Sequence, residues 1–119
     1  MKKLFIKFAT SMKLKTLVFI LAYTMLPAIA FAENKPQRIV SMSPSLTEIV
    51  FAIGAGAQVV AVDNYSDYPP EAPITSLSAF EPNLEAIATF DPDLVILSYN
   101  IGDLVKGLNA IGVDTMLLP

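Results

Sequence analysis

Apolar positions along this chain alternate between two spacings, and the alternation predicts its elements. Short β-branched or wholly apolar runs read as buried strands over Arg38 to Met42, Val59 to Val62 and Leu94 to Leu97. The last is continuous and apolar, as in a sheet covered on both faces. Ile74 to Leu77 reads as a short strand or extended segment, and Asp114 to Leu118 begins a final strand. Between these runs the spacing becomes helical. Leu46, Ile49, Val50 and Ile53 fall at i, i+3, i+4 and i+7, which makes one apolar face. Ser45 and Glu48 have the spacing of a capping box beside Pro44, and Gly54 stands where that helix should stop with positive φ. Asn83 is placed to cap a helix from Leu84 to about Phe90, which Asp91-Pro92-Asp93 then breaks. A third helix runs from Asp103 to about Ala110 and ends at Gly112.

The order strand, helix, strand, loop, strand, helix, strand, helix, strand predicts an α/β fold, a single mainly parallel sheet with helices on both faces. Ligands of such sheets sit beyond the carboxyl ends of the strands. Three loops reach that rim: Ser41-Met42-Ser43 with Pro44 following, Val62 to Pro70 with Tyr65 and Ser66, and Ser98-Tyr99-Asn100. The second of them, VDNYSDYPP, is the densest in aromatic and polar groups, and its Pro69-Pro70 pair limits its movement. The plainer role for its tyrosines is to cover the sheet edge. Gly54-Ala55-Gly56 follows a helix and precedes a strand, the reverse of what a dinucleotide-binding glycine motif requires, so it reads as a turn.

Composition matters most at the amino end. Residues 1–16 hold five lysines and no acid; Leu17 to Leu26 is apolar, and Ala30-Phe31-Ala32 follows Pro27. Basic, apolar and small segments in that order make a secretory signal peptide over residues 1–32 and send the product to the periplasm. Met12 is an alternative start. Residues 33–119 then form one small domain of 87 residues, a size that buries only ~60–65% of its unfolded surface. Three cations (Lys35, Arg38, Lys106) against eleven acids leave it at −8, whereas the whole chain is at −3. That charge argues against nucleic-acid binding, which needs Lys and Arg for phosphates, and suits a basic partner surface. With no His and no Cys, zinc and other soft-metal sites are excluded, as are Ser-His-Asp and Cys-His nucleophilic arrangements. Asp91 and Asp93 resemble a carboxylate pair, but Asp-Pro-Asp before a strand is the chemistry of a helix-stop turn.

Taken together, RIVSMSPSLTEIVFAIGAG, VDNYSDYPP, EPNLEAIATFDPDLVI and LNAIGVDTMLLP resemble the amino-terminal lobe of the periplasmic binding proteins that serve ABC importers of cobalamin, siderophore-bound iron and haem. The resemblance spans Arg38 to Pro119, and YSDYPP leans toward the cobalamin-type members. It implies two α/β lobes joined by a long helix with the ligand between them, so residues 33–119 correspond to one lobe, cut short where that helix begins. It further implies a non-catalytic protein without a resident cofactor, whose transported ligand is cobalamin, a ferric siderophore or haem. Tyr65 matches the aromatic that leans on a corrin-like ligand, and Phe80 falls near a second cleft aromatic in a loop one residue shorter than in cobalamin receptors. With Ser43, Pro44, Ser66 and Tyr99 these make the candidate ligand contacts. Glu85 matches the glutamate that meets an arginine of the permease subunits, and an acid in the first turn of a helix is favoured by the helix dipole in any case. Two rival classes remain open on the residues alone: a small secreted α/β hydrolase working through carboxylates, and an acidic docking module that carries no ligand.

Overall fold

The computed structural model describes residues 34–119, together with Thr16 and Phe19. The expected signal peptide lies outside the described residues. The chain divides into two compact units, Met1–Asn34 and Lys35–Pro119, and the elements named below belong to the second. Among the described residues no helix is long and apolar enough to cross a membrane.

Four strands, β1 (Ile39–Met42), β2 (Val59–Val62), β3 (Leu94–Leu97) and β4 (Asp114–Leu117), form one sheet in the order β2-β1-β3-β4. Every pairing is parallel. Three helices connect them: α1 (Pro44–Ala52), α2 (Leu84–Ala88) and α3 (Leu104–Ala110). Along β1 and β3 residues alternate between two apolar clusters because successive side chains leave opposite faces of a pleated strand, and an irregularity in the β1–β2 register breaks the alternation in β2. Val40, Met42, Ala61, Val95 and Leu97 pack with Ile87 of α2 and with Leu104 and Leu108 of α3. Ile39, Val59, Val62 and Ile96 pack with Leu46 and Val50 of α1. The sheet is therefore covered on both faces, as the continuous apolar texture of its strands requires.

Three expectations change in detail. Of the two readings of Ile74 to Leu77, the extended segment holds and the strand does not; Ile74 makes a single parallel bridge to Val62. Backbone bonds from the Val62 N–H to the Pro73 carbonyl at 3.0 Å and from the Thr75 N–H to the Val62 carbonyl at 3.1 Å make that bridge, and the Thr75 hydroxyl adds a bond to the Val62 carbonyl at 2.6 Å and accepts from the Leu77 N–H at 3.1 Å. The Ser45–Glu48 capping box does not form. Ser43 is the N-cap, Pro44 opens the helix, and no side chain caps it. The Ser43 hydroxyl is held instead by Ser45 at 3.2 Å and Ser98 at 2.8 Å. Finally, α1 buries Leu46, Thr47 and Val50, while Ile49 and Ile53 are 54% and 74% exposed. The buried stripe is thus rotated toward a polar residue, for a reason that lies in the site.

The other signals hold their places. Asn83 accepts from the Ala86 N–H at 2.8 Å and caps α2. Gly54 ends α1 at φ +86°. Two residues on, a Cβ on Gly56 would stand 2.4 Å from a ring carbon of Phe51, so this turn also needs a glycine for space. Asp91 ends the α2 segment at φ 49°, a left-handed conformation that Asp tolerates.

Asp93 secures the amino end of the sheet. Its carboxyl accepts from the backbone N–H groups of Gln37 at 2.7 Å and Arg38 at 3.0 Å. The Arg38 guanidinium donates to the carbonyls of Phe90 and Asp91. Burial pushes the Asp93 carboxyl up, but the Gln37 and Arg38 backbone donors, its own N–H and the Arg38 charge outweigh burial and hold it below its ordinary value. A depressed folded value contributes stability above the unfolded pKa and loses it as pH falls through the folded one. Urea midpoints of the wild type should therefore drop as pH falls below about 4, and Asp93→Asn should flatten that part of the profile. An unchanged slope in the variant would remove the clamp.

Candidate functional site

The strand order creates the site. From β1 the chain moves outward to β2, and from β3 it moves outward the other way to β4. The loops leaving neighbouring β1 and β3 therefore diverge, and a crevice opens between them at the carboxyl ends of the strands. A cavity of about 580 Å³ occupies this place. Met42, Ser43, Pro44 and Ser45 supply one wall, Ser98 and Tyr99 a second, and Asp63, Tyr65, Ala79 and Phe80 a third.

Three aromatic rings edge the cavity with much of their surface free: Tyr65, Phe80 and Tyr99 are 58%, 68% and 70% exposed. Tyr65 and Phe80 meet edge to face, with centroids 5.7 Å apart and planes at 82°. This geometry fixes two rings from separate loops against each other before anything binds. The Tyr65 loop is anchored at its base. The Asp63 N–H donates to the Ser41 carbonyl at 3.0 Å, and the Asn64 N–H donates to the Leu77 carbonyl at 2.8 Å.

Behind the wall lies a buried polar cluster. Thr47 Oγ1 stands 2.7 Å from Ser41 Oγ, 2.8 Å from the Ser43 carbonyl and 3.1 Å from Ser66 Oγ. Ser66 Oγ in turn donates to Asp63 Oδ1. Ser41, Thr47, Asp63 and Ser66 are all essentially sealed from solvent. Thr47 Oγ1 is the donor toward the Ser43 carbonyl, Ser41 and Ser66, and its one proton serves one of them at a time, while Ser41 donates toward the Ser43 carbonyl and Ser66 donates to the Asp63 carboxyl. This explains the rotation of α1: Thr47 must face inward, and Leu46 and Val50 follow it. Asp63 Oδ2 is buried and has no hydrogen-bond partner. An open buried acceptor of this kind costs about 1–3 kcal/mol.

Of the sequence candidates, the structure brings Ser43, Pro44, Tyr65, Phe80 and Tyr99 together around one cavity. Ser66 departs from the expectation. It is fully buried, its hydroxyl is engaged by Thr47 and Asp63, and it is not among the cavity walls. Glu85 lies apart from the cavity, exposed in the first turn of α2. Asp63, Ser98, Met42, Ser45 and Ala79 also line the cavity without having been candidate contacts, although Met42, Asp63 and Ser98 stood in the rim loops. A usable signal existed for Asp63, an acid directly after a buried strand, and for Ser98, which holds the same position after β3. Among the described residues no three acids, histidines or cysteines gather as a metal site would need.

Residues 39–114 match the family described as periplasmic binding protein. The chain belongs to that family. The vitamin B12-binding protein of Pectobacterium carotovorum subsp. carotovorum (strain PC1) is 43% identical over 63 residues, which is 51% of this chain and 23% of that protein. The crystal structure of the periplasmic vitamin B12 binding protein of Vibrio cholerae superposes with a TM-score of 0.55 at 34% identity, covering 68% of this chain and 33% of that one. The periplasmic haem binding protein of Vibrio cholerae superposes with a TM-score of 0.60 at 30% identity, over the same 68% and 33%. The chain thus spans about a third or less of the length of these relatives.

Ser66→Ala should be a stability variant. It strips the donor from Asp63 Oδ1 inside a sealed cluster, a loss of about 1–3 kcal/mol by urea denaturation. A variant as stable as the wild type would show that the cluster is not holding the loop.

Proposed function

We propose that this chain is the amino-terminal lobe of the substrate-binding component of an ABC importer, acting in the periplasm after removal of residues 1–32 as a signal peptide. It is a binding component rather than an enzyme. Its ligand is a metal-bearing macrocycle or chelate, with cobalamin ahead of haem and ferric siderophores. The observation that carries this reading is the cavity at the divergence of β1 and β3, edged by the exposed rings of Tyr65, Phe80 and Tyr99. Flat, rigid apolar faces of this kind suit a large ring system. The vitamin B12-binding relative at 43% identity supports cobalamin as the first candidate. Ser43 and Pro44 contact the ligand from the α1 side. A second lobe on the far side of the ligand, joined through a long helix, completes the clamp in proteins of this kind, and the permease subunits of the importer are the partner. Glu85, exposed on α2 away from the cavity, is the docking contact.

Equilibrium dialysis against cyanocobalamin, haemin and a ferric siderophore tests the reading directly. Retention of none of the three would end it. Within this experiment Tyr65→Ala should weaken cyanocobalamin retention by roughly 1–3 kcal/mol. Its melting midpoint should barely move, because the ring is largely exposed. The opposite result, a lowered midpoint with unchanged retention, would make Tyr65 a cover for the sheet edge.

Glu85→Lys should leave ligand retention and folding intact while slowing association with a cobalamin-importer permease, most visibly at low salt. Equal association rates for variant and wild type at low salt would remove Glu85 from the docking surface.

A further inference from the structure

A second groove, about 500 Å³ in volume, lies between the segment that leads into α2 and the segment that leads into α3. Phe80 belongs to this groove and to the ligand cavity, so the two are neighbours across one aromatic residue. Pro82 and Leu84 line the groove from the α2 side, Ile101 and Leu104 from the α3 side. The two sides are held together behind it. At Gly107 α3 comes so close to α2 that a Cβ would stand 3.0 Å from a Leu84 methyl carbon. Glu81 and Asp103 add one exposed acid to each side, and no lysine or arginine is among the walls.

The fold makes no use of either carboxylate. Asp103 stands at the N-cap of α3, yet its side chain caps nothing. The Val105 N–H donates instead to Asn100 Oδ1 at 3.3 Å. Among the described residues neither the Glu81 nor the Asp103 carboxylate has a hydrogen bond or ion pair within the chain. Two unengaged acids on opposite sides of an apolar groove are therefore open to cations from outside.

We propose that this groove is a docking surface for the importer's permease, and that it takes a loop on which an apolar side chain is flanked by arginine or lysine. Charge complementarity selects that partner. Residues 33–119 stand at −8 and attract basic surfaces as a whole, and here the acids border apolar surface that a loop can cover. Exposed charges alone give a fast but weak encounter that salt screens; covering apolar surface lengthens the residence of the complex. Glu85 directly follows Leu84, so the groove is continuous with the docking contact named above.

This proposal deepens the docking reading and rests on it, and the two can fail separately. Association of the full chain with the permease of a cobalamin importer, held in nanodiscs, is followed by biolayer interferometry at low and physiological salt. The pair Glu81→Lys/Asp103→Lys should slow association at low salt by roughly tenfold or more. A control pair with the same change in net charge, Glu48→Lys/Glu71→Lys, lies outside the groove and should slow it less than about threefold. Ile101→Ala, which trims the apolar wall, should raise the dissociation rate about threefold with association unchanged. All five side chains are exposed, so melting midpoints should stay with the wild type, and Glu81→Gln/Asp103→Asn serves if the reversal pair folds poorly. Equal slowing by both pairs overturns the groove, because net charge alone then accounts for it, and so does a groove pair that associates as the wild type does. In either case slowing by Glu85→Lys leaves the docking reading standing. Weakened cyanocobalamin retention by the groove pair would assign the groove to the ligand, and self-association that the pair abolishes would assign it to a second copy; each overturns the proposal. A wild type that does not bind the permease overturns the groove and the docking reading together.

Discussion

The Thr47 hydroxyl ties together three segments that the site depends on. It touches Ser41 at the end of β1, the Ser43 carbonyl where α1 begins, and Ser66 in the loop beyond β2. Through Ser66 it reaches Asp63. One buried side chain thereby sets the angle at which α1 leaves the sheet and the height at which the Tyr65 loop crosses the rim. In a sealed environment such a cluster is unforgiving, because every member left unpaired carries its full desolvation cost. That cost is what makes a four-residue polar cluster able to orient a helix against the weaker, non-directional pull of its apolar side chains. Ile49 and Ile53 stay exposed as the consequence.

Around this cluster the sheet works as a rigid stand. Its two apolar clusters hold β1 and β3 side by side, and the strand order sends their connections apart. The crevice follows from topology rather than from any special loop. The loops then supply chemistry: aromatic edges from Tyr65, Phe80 and Tyr99 and the serines Ser43 and Ser98. Asp93 does comparable work at the opposite end of the strands, where its carboxyl is used up on backbone donors from the leader. The two acids look alike in sequence, each adjoining an apolar strand. Asp93 precedes β3 at its amino end and is satisfied; Asp63 follows β2 at its carboxyl end and is left with an open oxygen.

Much of this was determined by the sequence alone, wherever a signal is local. The apolar runs of β1, β2 and β3, the cap at Asn83 and the glycines at 54 and 112 act through their own backbone or one turn of helix, so they read correctly in isolation. The rim positions of Ser43, Tyr65 and Tyr99 were legible for a related reason: each lies just past a strand, and parallel strands put those ends on one side. Only the tertiary structure decided the rest. Ser45 and Glu48 have the right spacing for a capping box, but the helix starts earlier, with Ser43 as the N-cap and Ser45 inside the first turn, and the Ser43 hydroxyl is engaged by Ser98, distant in sequence. The apolar face of α1 looked four residues wide until Thr47 claimed the inward direction. Ser66 and Asp63 are separated by two residues, yet one faces only the protein interior and the other also forms part of the cavity. Spacing along the chain carries no information about which hydroxyl finds which partner across the sheet. That choice belongs to packing, because a buried hydrogen bond is decided by which groups the fold seals away together.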